Sequence, residues 1–225
     1  MQMLSTVKLV ADPYPPYQFV QEGTVTGMDH DIIFEAFKVH GVEAGTTLHS
    51  WDECMALMDA GKADGIFQIT RTAQREKRYI FSEELRTACT LFFKRKESSI
   101  SLDCVTGLDS QLSGETVGVL AGYSYSETVD DLVRELKVEK TSSQDLLLGL
   151  SRGEFSLALM DEGVAAFLMK RVGVGGVERV AGFDISRPLY VAFRKALSEP
   201  VRLFNSGLEE IKKNGVYDSV VRRYG

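Results

Sequence analysis

The chain has 225 residues, of which 44% are hydrophobic and 26% charged, and a formal net charge of −6. That length builds a large core, as one α/β domain or as two lobes of roughly 100 residues each. The acidic balance argues against a nucleic-acid partner: basic residues cluster only at Lys94-Arg95-Lys96 and Arg222-Arg223, too short for the footprint that phosphate binding needs.

No apolar run approaches the roughly 18 to 20 residues of a membrane span. No signal peptide precedes the first strand-like segment, which fits a cytoplasmic protein and equally a mature or excised domain. Cys54, Cys89 and Cys104 are an odd number without metal spacing. They read as free or buried thiols, with one disulfide and a spare as the alternative. His30, His40 and His49 lack a helical or loop ligand spacing, so no metal site is expected.

In chain order, Val7 to Ala11 reads as a short buried strand. It runs into Asp12-Pro13-Tyr14-Pro15-Pro16-Tyr17, whose prolines cannot pair in a central strand and so predict a rigid loop. The loop carries an aspartate and two tyrosines at the carboxyl end of a strand, where open α/β sheets bind ligands. From Asp31 to His40 the apolar positions 32, 33, 36 and 37, followed by Gly41, predict an amphipathic helix. Ser50-Trp51-Asp52-Glu53 fits a capping box that opens a helix to Ala60, stopped by Gly61, and Gly65 to Ile69 follows as a buried strand.

A similar series recurs. Ser142 or Ser143 caps a helix through Leu146, Leu147 and Leu150 that stops near Gly153, and Phe155 to Met160 is a strand ending at Asp161. Helix, glycine, strand and polar group thus occur twice, at Gln68–Thr70 and at Met160-Asp161, which predicts two α/β halves facing each other. Leu91–Arg95 and Pro188–Arg194 read as strands crossing between them. Glu199 to Asn214 is a last amphipathic helix, closed by Gly215. Without a low-complexity tether, the halves are expected to share strands. Gly173-Val174-Gly175-Gly176 reads as a turn, and the chain has no nucleophile elbow, zinc-protease helix or phosphate loop.

Tyr14-Pro15-Pro16-Tyr17, Gly27-Met28-Asp29-His30-Asp31, the stretch Ala56 to Asp64, Thr70 to Arg75 and Phe81-Ser82 follow one another at telling distances. Gly118 to Gly122, Met160-Asp161 and Gly215-Val216-Tyr217 complete the series. In that order and spacing the chain, over residues 6 to 224, resembles the family 3 solute-binding proteins. These are the polar amino-acid binders of bacterial ABC importers, and the same module serves as the extracellular sensor of some transmembrane histidine kinases. The resemblance implies an α/β, two-lobed, periplasmic-binding-protein-like (type 2) fold hinged by two crossover strands. Residues 1-92 plus 188-225 would form lobe one and residues 93-187 lobe two. It further implies a free amino acid as ligand, no cofactor, no catalysis, a monomer, a periplasmic location, and as partner an ABC transporter permease or the chain's own membrane-spanning kinase.

The resemblance also implies roles. A zwitterion stripped of water needs a partner for each charge. Arg75 matches the family's carboxylate-binding arginine, a fork suited to two carboxylate oxygens, on a helix capped by Thr72; the alternative is a surface arginine of the Arg71, Arg75, Lys77, Arg78 cluster. Asp161 matches the ammonium-binding aspartate, and its alternative is a helix N-cap before Glu162. Thr70 would bond the ligand carboxylate and the Gln68 carbonyl its ammonium. Phe67 and Gln68 are bulkier than the family's usual residues, so they are expected to narrow the site or add a contact. Ser124 stands where relatives carry Thr or Ser toward the carboxylate, with Tyr123 and Tyr125 lining the site beside it. Tyr14 and Trp51 match aromatic walls around the ligand side chain; stiffening of the loop and core packing are their alternatives. Asp12 lies where binders of basic side chains hold an acid, or caps a local turn. Some relatives of this fold are cyclohexadienyl dehydratases, but no spacing singles out Glu22, Glu162 or His30 as an acid or base.

Overall fold

The structure, a computed structural model, describes residues 6–102, 107–123 and 125–224, so Cys104 and Ser124 lie outside the described residues. The chain divides into two compact units, Met1–Thr87 with Arg187–Gly225, and Ala88–Ser186.

The first unit opens with β1 (Thr6–Ala11), whose alternate burial reflects the period-2 projection of side chains. A hairpin of β2 (Phe19–Gln21) and β3 (Thr24–Thr26) turns at Glu22 and Gly23, both with positive φ, as a tight hairpin turn requires. Helix α1 (Met28–Lys38) follows. It starts three residues earlier than its apolar periodicity predicts, because the Pro16 and Tyr17 carbonyls accept the Met28 and Asp29 N–H groups, both at 2.9 Å, and so stand in for a side-chain cap. Strand β4 (Glu43–Leu48) leads to α2 (Trp51–Asp59), opened by the capping box read from the sequence: Glu53 N–H donates to the Ser50 hydroxyl and Ser50 N–H to the Glu53 carboxylate. Strand β5 (Gly65–Ile69), the short α3 (Ala73–Glu76) and β6 (Tyr79–Phe81) come next.

Strand β7 (Arg86–Arg95) carries the chain into the second unit. There α4 (Leu108–Gln111), β8 (Val117–Leu120), α5 (Glu127–Leu132), β9 (Lys137–Lys140), α6 (Ser143–Ser151), β10 (Leu157–Asp161) and α7 (Glu162–Val172) follow. The sheet order is β7-β10-β8-β9, with β10 antiparallel to β7 and parallel to β8. Ser142 is the residue that caps α6, accepting from Asp145 N–H at 3.1 Å. Helix α7 ends at Gly173 in the left-handed region, so the Gly173–Gly176 stretch is a turn. Val119, Leu157, Leu159 and Phe92 anchor this unit's core.

Strand β11 (Val177–Arg194) brings the chain back, and α8 (Ser198–Lys213) and α9 (Val216–Tyr224) finish it. In the first unit β1 lies between parallel β4 and β5, and the end of β11 runs antiparallel to β5 with Val191 opposite Phe67. One core, with Ile33, Phe37, Phe193 and Phe204, packs between this sheet and α1, α8 and α9. Another, with Cys54, Met58, Ile66 and Ile69, lies under α2. The apolar stripe of α8 (Val201, Phe204, Leu208, Ile211) is the buried face that its sequence period predicts. No helix among the described residues is long and apolar enough to cross a membrane.

Candidate functional site

Polar groups collect at the carboxyl ends of β1 and β5, where the strands stop and backbone groups need partners. Past β1, residues 12–18 form the rigid loop that the prolines predict, pinned by a Tyr14–Gln18 bridge with Tyr14 N–H donating to the Gln18 carbonyl at 2.8 Å. Tyr14 is partly exposed and stacks on buried Tyr17, with ring centroids 5.9 Å apart and planes 19° from parallel. Under Tyr17 lies the Arg86 guanidinium, 3.4 Å from the ring centroid, and Arg86 Nε donates to the Asp29 carboxylate at 2.7 Å. Both side chains of that ion pair are buried, at 6% and 0% exposure.

Past β5, Gln68 takes φ 58, the left-handed region that a non-glycine residue enters only where its surroundings impose it. The Gln68 side-chain oxygen accepts a hydrogen bond from the Gln18 amide, which also donates to the Asp12 carbonyl at 2.9 Å. Gln18 is completely buried. Burial pushes the Asp12 carboxyl above its ordinary pKa, against a smaller opposing effect of its backbone hydrogen bond. Phe67 points the other way from Gln68, as strand alternation dictates, and is completely buried beside Phe37 and Phe193. The expectation that Phe67 reaches a ligand is therefore corrected: its ring fills the core of the unit.

Two residues on, Thr70 accepts from Arg75 Nη1 through its hydroxyl at 2.6 Å and its carbonyl at 2.9 Å. The Thr72 hydroxyl caps α3, accepting from Arg75 N–H at 3.3 Å. The guanidinium carbon of Arg75 lies 5.3 Å from the Trp51 ring centroid, within cation–π range. Trp51 also packs against the core under α2, the alternative role that its sequence allowed. Two neighbouring cations are ion-paired, Arg71 with Glu76 and Arg78 with Asp59. Arg75 makes no ion pair with a carboxylate among the described residues, and burial pushes its guanidinium below its ordinary pKa. Arginine remains cationic at any physiological pH, so this is a half-desolvated positive charge.

In the second unit Asp161 ends β10 opposite buried Thr90 and is itself 6% exposed. Its carboxylate accepts from Val164 N–H at 3.1 Å, so it is the N-cap of α7, the alternative role that sequence allowed. Tyr125 is buried, and its hydroxyl bridges two strands, accepting from Leu120 N–H at 3.1 Å and donating to the Leu159 carbonyl at 3.3 Å. With Tyr123, whose ring centroid is 5.6 Å away, it borders an opening of about 370 Å³ that Asp130 and Arg134 also line. Ser124 between them lies outside the described residues.

Of the residues that sequence reasoning singled out, Thr70, Arg75 and Trp51 come together in one cluster, and Tyr14 lies on the loop past β1. That reasoning missed Arg86 and Gln18, and it quoted Asp29 only as part of a motif. Arg86 opens β7, which also carries Thr87, Thr90, Lys94 and Arg95, so neither charge nor pattern along that strand singles it out as the partner of Asp29.

Comparison with known proteins adds four findings. A sequence model of the bacterial extracellular solute-binding proteins, family 3, matches residues 7–225. The lysine/arginine/ornithine-binding periplasmic protein of Escherichia coli is 28% identical over 231 aligned positions, covering 97% of this chain and 87% of that protein. An ancestral arginine-binding protein solved with arginine superposes with a TM-score of 0.77 at 25% identity, over 99% of each chain. A histidine kinase sensor domain with similarity to periplasmic binding proteins superposes with a TM-score of 0.79 at 20% identity, over 98% of this chain and 96% of that one, which shows a shared fold. The periplasmic-binding-protein-like α/β fold expected from the sequence is the fold these solved structures share with the chain.

Proposed function

This chain belongs to the bacterial extracellular solute-binding proteins, family 3, and from that membership we propose that it binds one small free amino acid in the periplasm and delivers it, untransformed, to the permease of an ABC importer. One observation carries the reading: Arg75, half-buried against Trp51 and fixed by Thr70, has no carboxylate of the described chain to neutralise it. A ligand carboxylate supplies that anion, and the guanidinium fork meets both of its oxygens. Thr70 and Ser124 add hydroxyl donors, while Asp161 and the Gln68 carbonyl accept from the ammonium. Tyr14 and Trp51 flank the ligand side chain, and Asp12, where protonation is favoured by burial, contacts its far end.

In this reading residues 1-92 with 188-225 and residues 93-187 act as lobes that close on the ligand about the two crossing strands. Contacts made only in the closed state pull the population toward it. The protein acts as a monomer and uses no cofactor. A second reading, the ligand-sensing domain of a membrane histidine kinase, draws on the fold shared with such a domain. Recovery of the native protein in osmotic-shock fluid supports the carrier; retention in the membrane with autokinase activity supports the sensor.

The test is a thermal-shift screen of the twenty amino acids. A ligand at a hundredfold excess over its Kd stabilises by about 2.7 kcal/mol, a shift of several degrees for one or a few related amino acids. No shift with any of them at millimolar concentration overturns the proposal. Incubation with arogenate or prephenate is expected to leave both unchanged.

A further inference from the structure

The buried Asp29–Arg86 pair is joined to the aromatic loop by two independent contacts. Arg86 lies 3.4 Å beneath the face of Tyr17, and Tyr14 stacks on the same ring with centroids 5.9 Å apart. Asp29 N–H donates to the Tyr17 carbonyl at 2.9 Å, so the residue that neutralises Arg86 also holds the Tyr17 backbone. Met28 N–H holds Pro16 one position earlier. A charge pair is a costly way to fill an interior, since desolvation removes most of the gain from attraction. Stability alone gives no reason to prefer it to apolar packing, whereas fixing a single geometry does.

Arginine is the residue suited to this place. Its guanidinium is planar, so it donates along its edge to a carboxylate while its face meets an aromatic ring. A lysine ammonium would keep the charge and lose the flat surface. The Tyr17 ring thus meets both a buried cation and the partly exposed ring of Tyr14. From this geometry we infer that Arg86, with Asp29, is a positioning residue that sets the orientation of Tyr14 through Tyr17 and so tunes which amino-acid side chain the site accepts. The second half of the inference rests on the proposed placement of Tyr14 against the ligand; the first half does not.

The experiment separates the two. The full chain is labelled with 3-fluorotyrosine, and the Tyr14 resonance is identified by its loss in Tyr14→Phe. In the ligand-free protein, Arg86→Lys is expected to shift or broaden the Tyr14 resonance and to leave that of Tyr123, in the other unit, in place. A merely structural arginine would lower Tm and leave Tyr14 where it is, and an unmoved Tyr14 resonance in folded Arg86→Lys overturns the inference. If Arg86→Lys fails to fold, Asp29→Asn, which keeps a hydrogen-bond acceptor beside Arg86, is read in the same way.

The second arm is a double-mutant cycle by titration calorimetry with L-arginine, or with L-histidine if only that shifts the melting temperature. Arg86→Lys is expected to weaken binding roughly tenfold in the wild-type background and less than about twofold in Tyr14→Ala, the coupling expected of residues acting through one contact. Equal losses in both backgrounds refute the tuning of specificity. A wild-type protein that binds neither probe excludes tuning toward these two side chains, while the resonance decides the positioning and the screen of all twenty amino acids decides the proposed function.

Discussion

The loop that carries Tyr14 depends on Gly27, and replacing that glycine by alanine tests the dependence directly. Gly27 is the N-cap of α1 with φ 129 and ψ 165, a region open in practice only to glycine. A methyl group there would lie 2.4 Å from the Tyr17 carbonyl oxygen, 2.5 Å from its carbon and 2.8 Å from Gln18 Cα. All three are backbone atoms of the loop, so no side chain can swing aside. The forced conformation costs about 1–3 kcal/mol and the displacement of packed backbone about 1–3 kcal/mol more. Gly27→Ala should therefore destabilise by roughly 2–6 kcal/mol, a large share of a total near 5–15 kcal/mol.

Gly23→Ala is the control. Gly23 also has positive φ, at 79°, but an added methyl meets nothing within 4 Å, so it bears only a backbone penalty of about 1–2 kcal/mol. Urea unfolding followed by the fluorescence of Trp51, the single tryptophan, reads the unit in which both glycines lie. If Gly27→Ala loses no more than Gly23→Ala, the close approach of α1 to the loop is not what holds the loop.

Arg75→Ala should weaken amino-acid binding by about 3–5 kcal/mol, because the ligand carboxylate is left buried without its partner; unchanged affinity by calorimetry would remove Arg75 from the site. Asp161 has two roles that substitutions separate: Asn keeps the cap of α7 and loses the charge, so Asp161→Asn should hold Tm while weakening binding more than about tenfold, whereas Asp161→Ala should also cost about 1 kcal/mol of stability. Burial raises the pKa of Asp31, but hydrogen bonds from His30 and Tyr224 and the charge of Arg223 outweigh it and leave the carboxyl below its ordinary value. Its contribution is complete above the unfolded pKa of about 3.9 and is lost as pH falls through the lowered folded value. Asp31→Asn should accordingly cost about 1–2 kcal/mol at pH 7 by urea titration and progressively less below about pH 4; a gap that widens in acid would contradict this. The Cys54 thiol is pushed up to about 11 by burial and that of Cys89 is also raised by burial. A Cys104→Ser protein should therefore react slowly with a thiol reagent at pH 8 and yield both free thiols only in denaturant; rapid release of both from the folded chain would show the environments to be wrong.

The sequence by itself determined the features whose partners lie within a few residues. Ser50 with Glu53, Ser142 with Asp145 and Thr72 with Arg75 are three apart, so spacing alone announces them. The proline loop and the apolar period of α8 are likewise local, and the order of short motifs sufficed to expose the family. Position along β5 was legible too, but which of Phe67 and Gln68 faces the core was not, because both faces of that strand are covered and the burial pattern no longer alternates. Only the tertiary structure decided the groups behind the loop. Arg86 meets Asp29 across 57 positions, Gln18 meets Gln68 across 50, and Tyr224 meets Asp31 across 193. The physical reason is that sheet pairing and helix packing place these side chains together; the chain that separates them leaves no trace in spacing, period or composition.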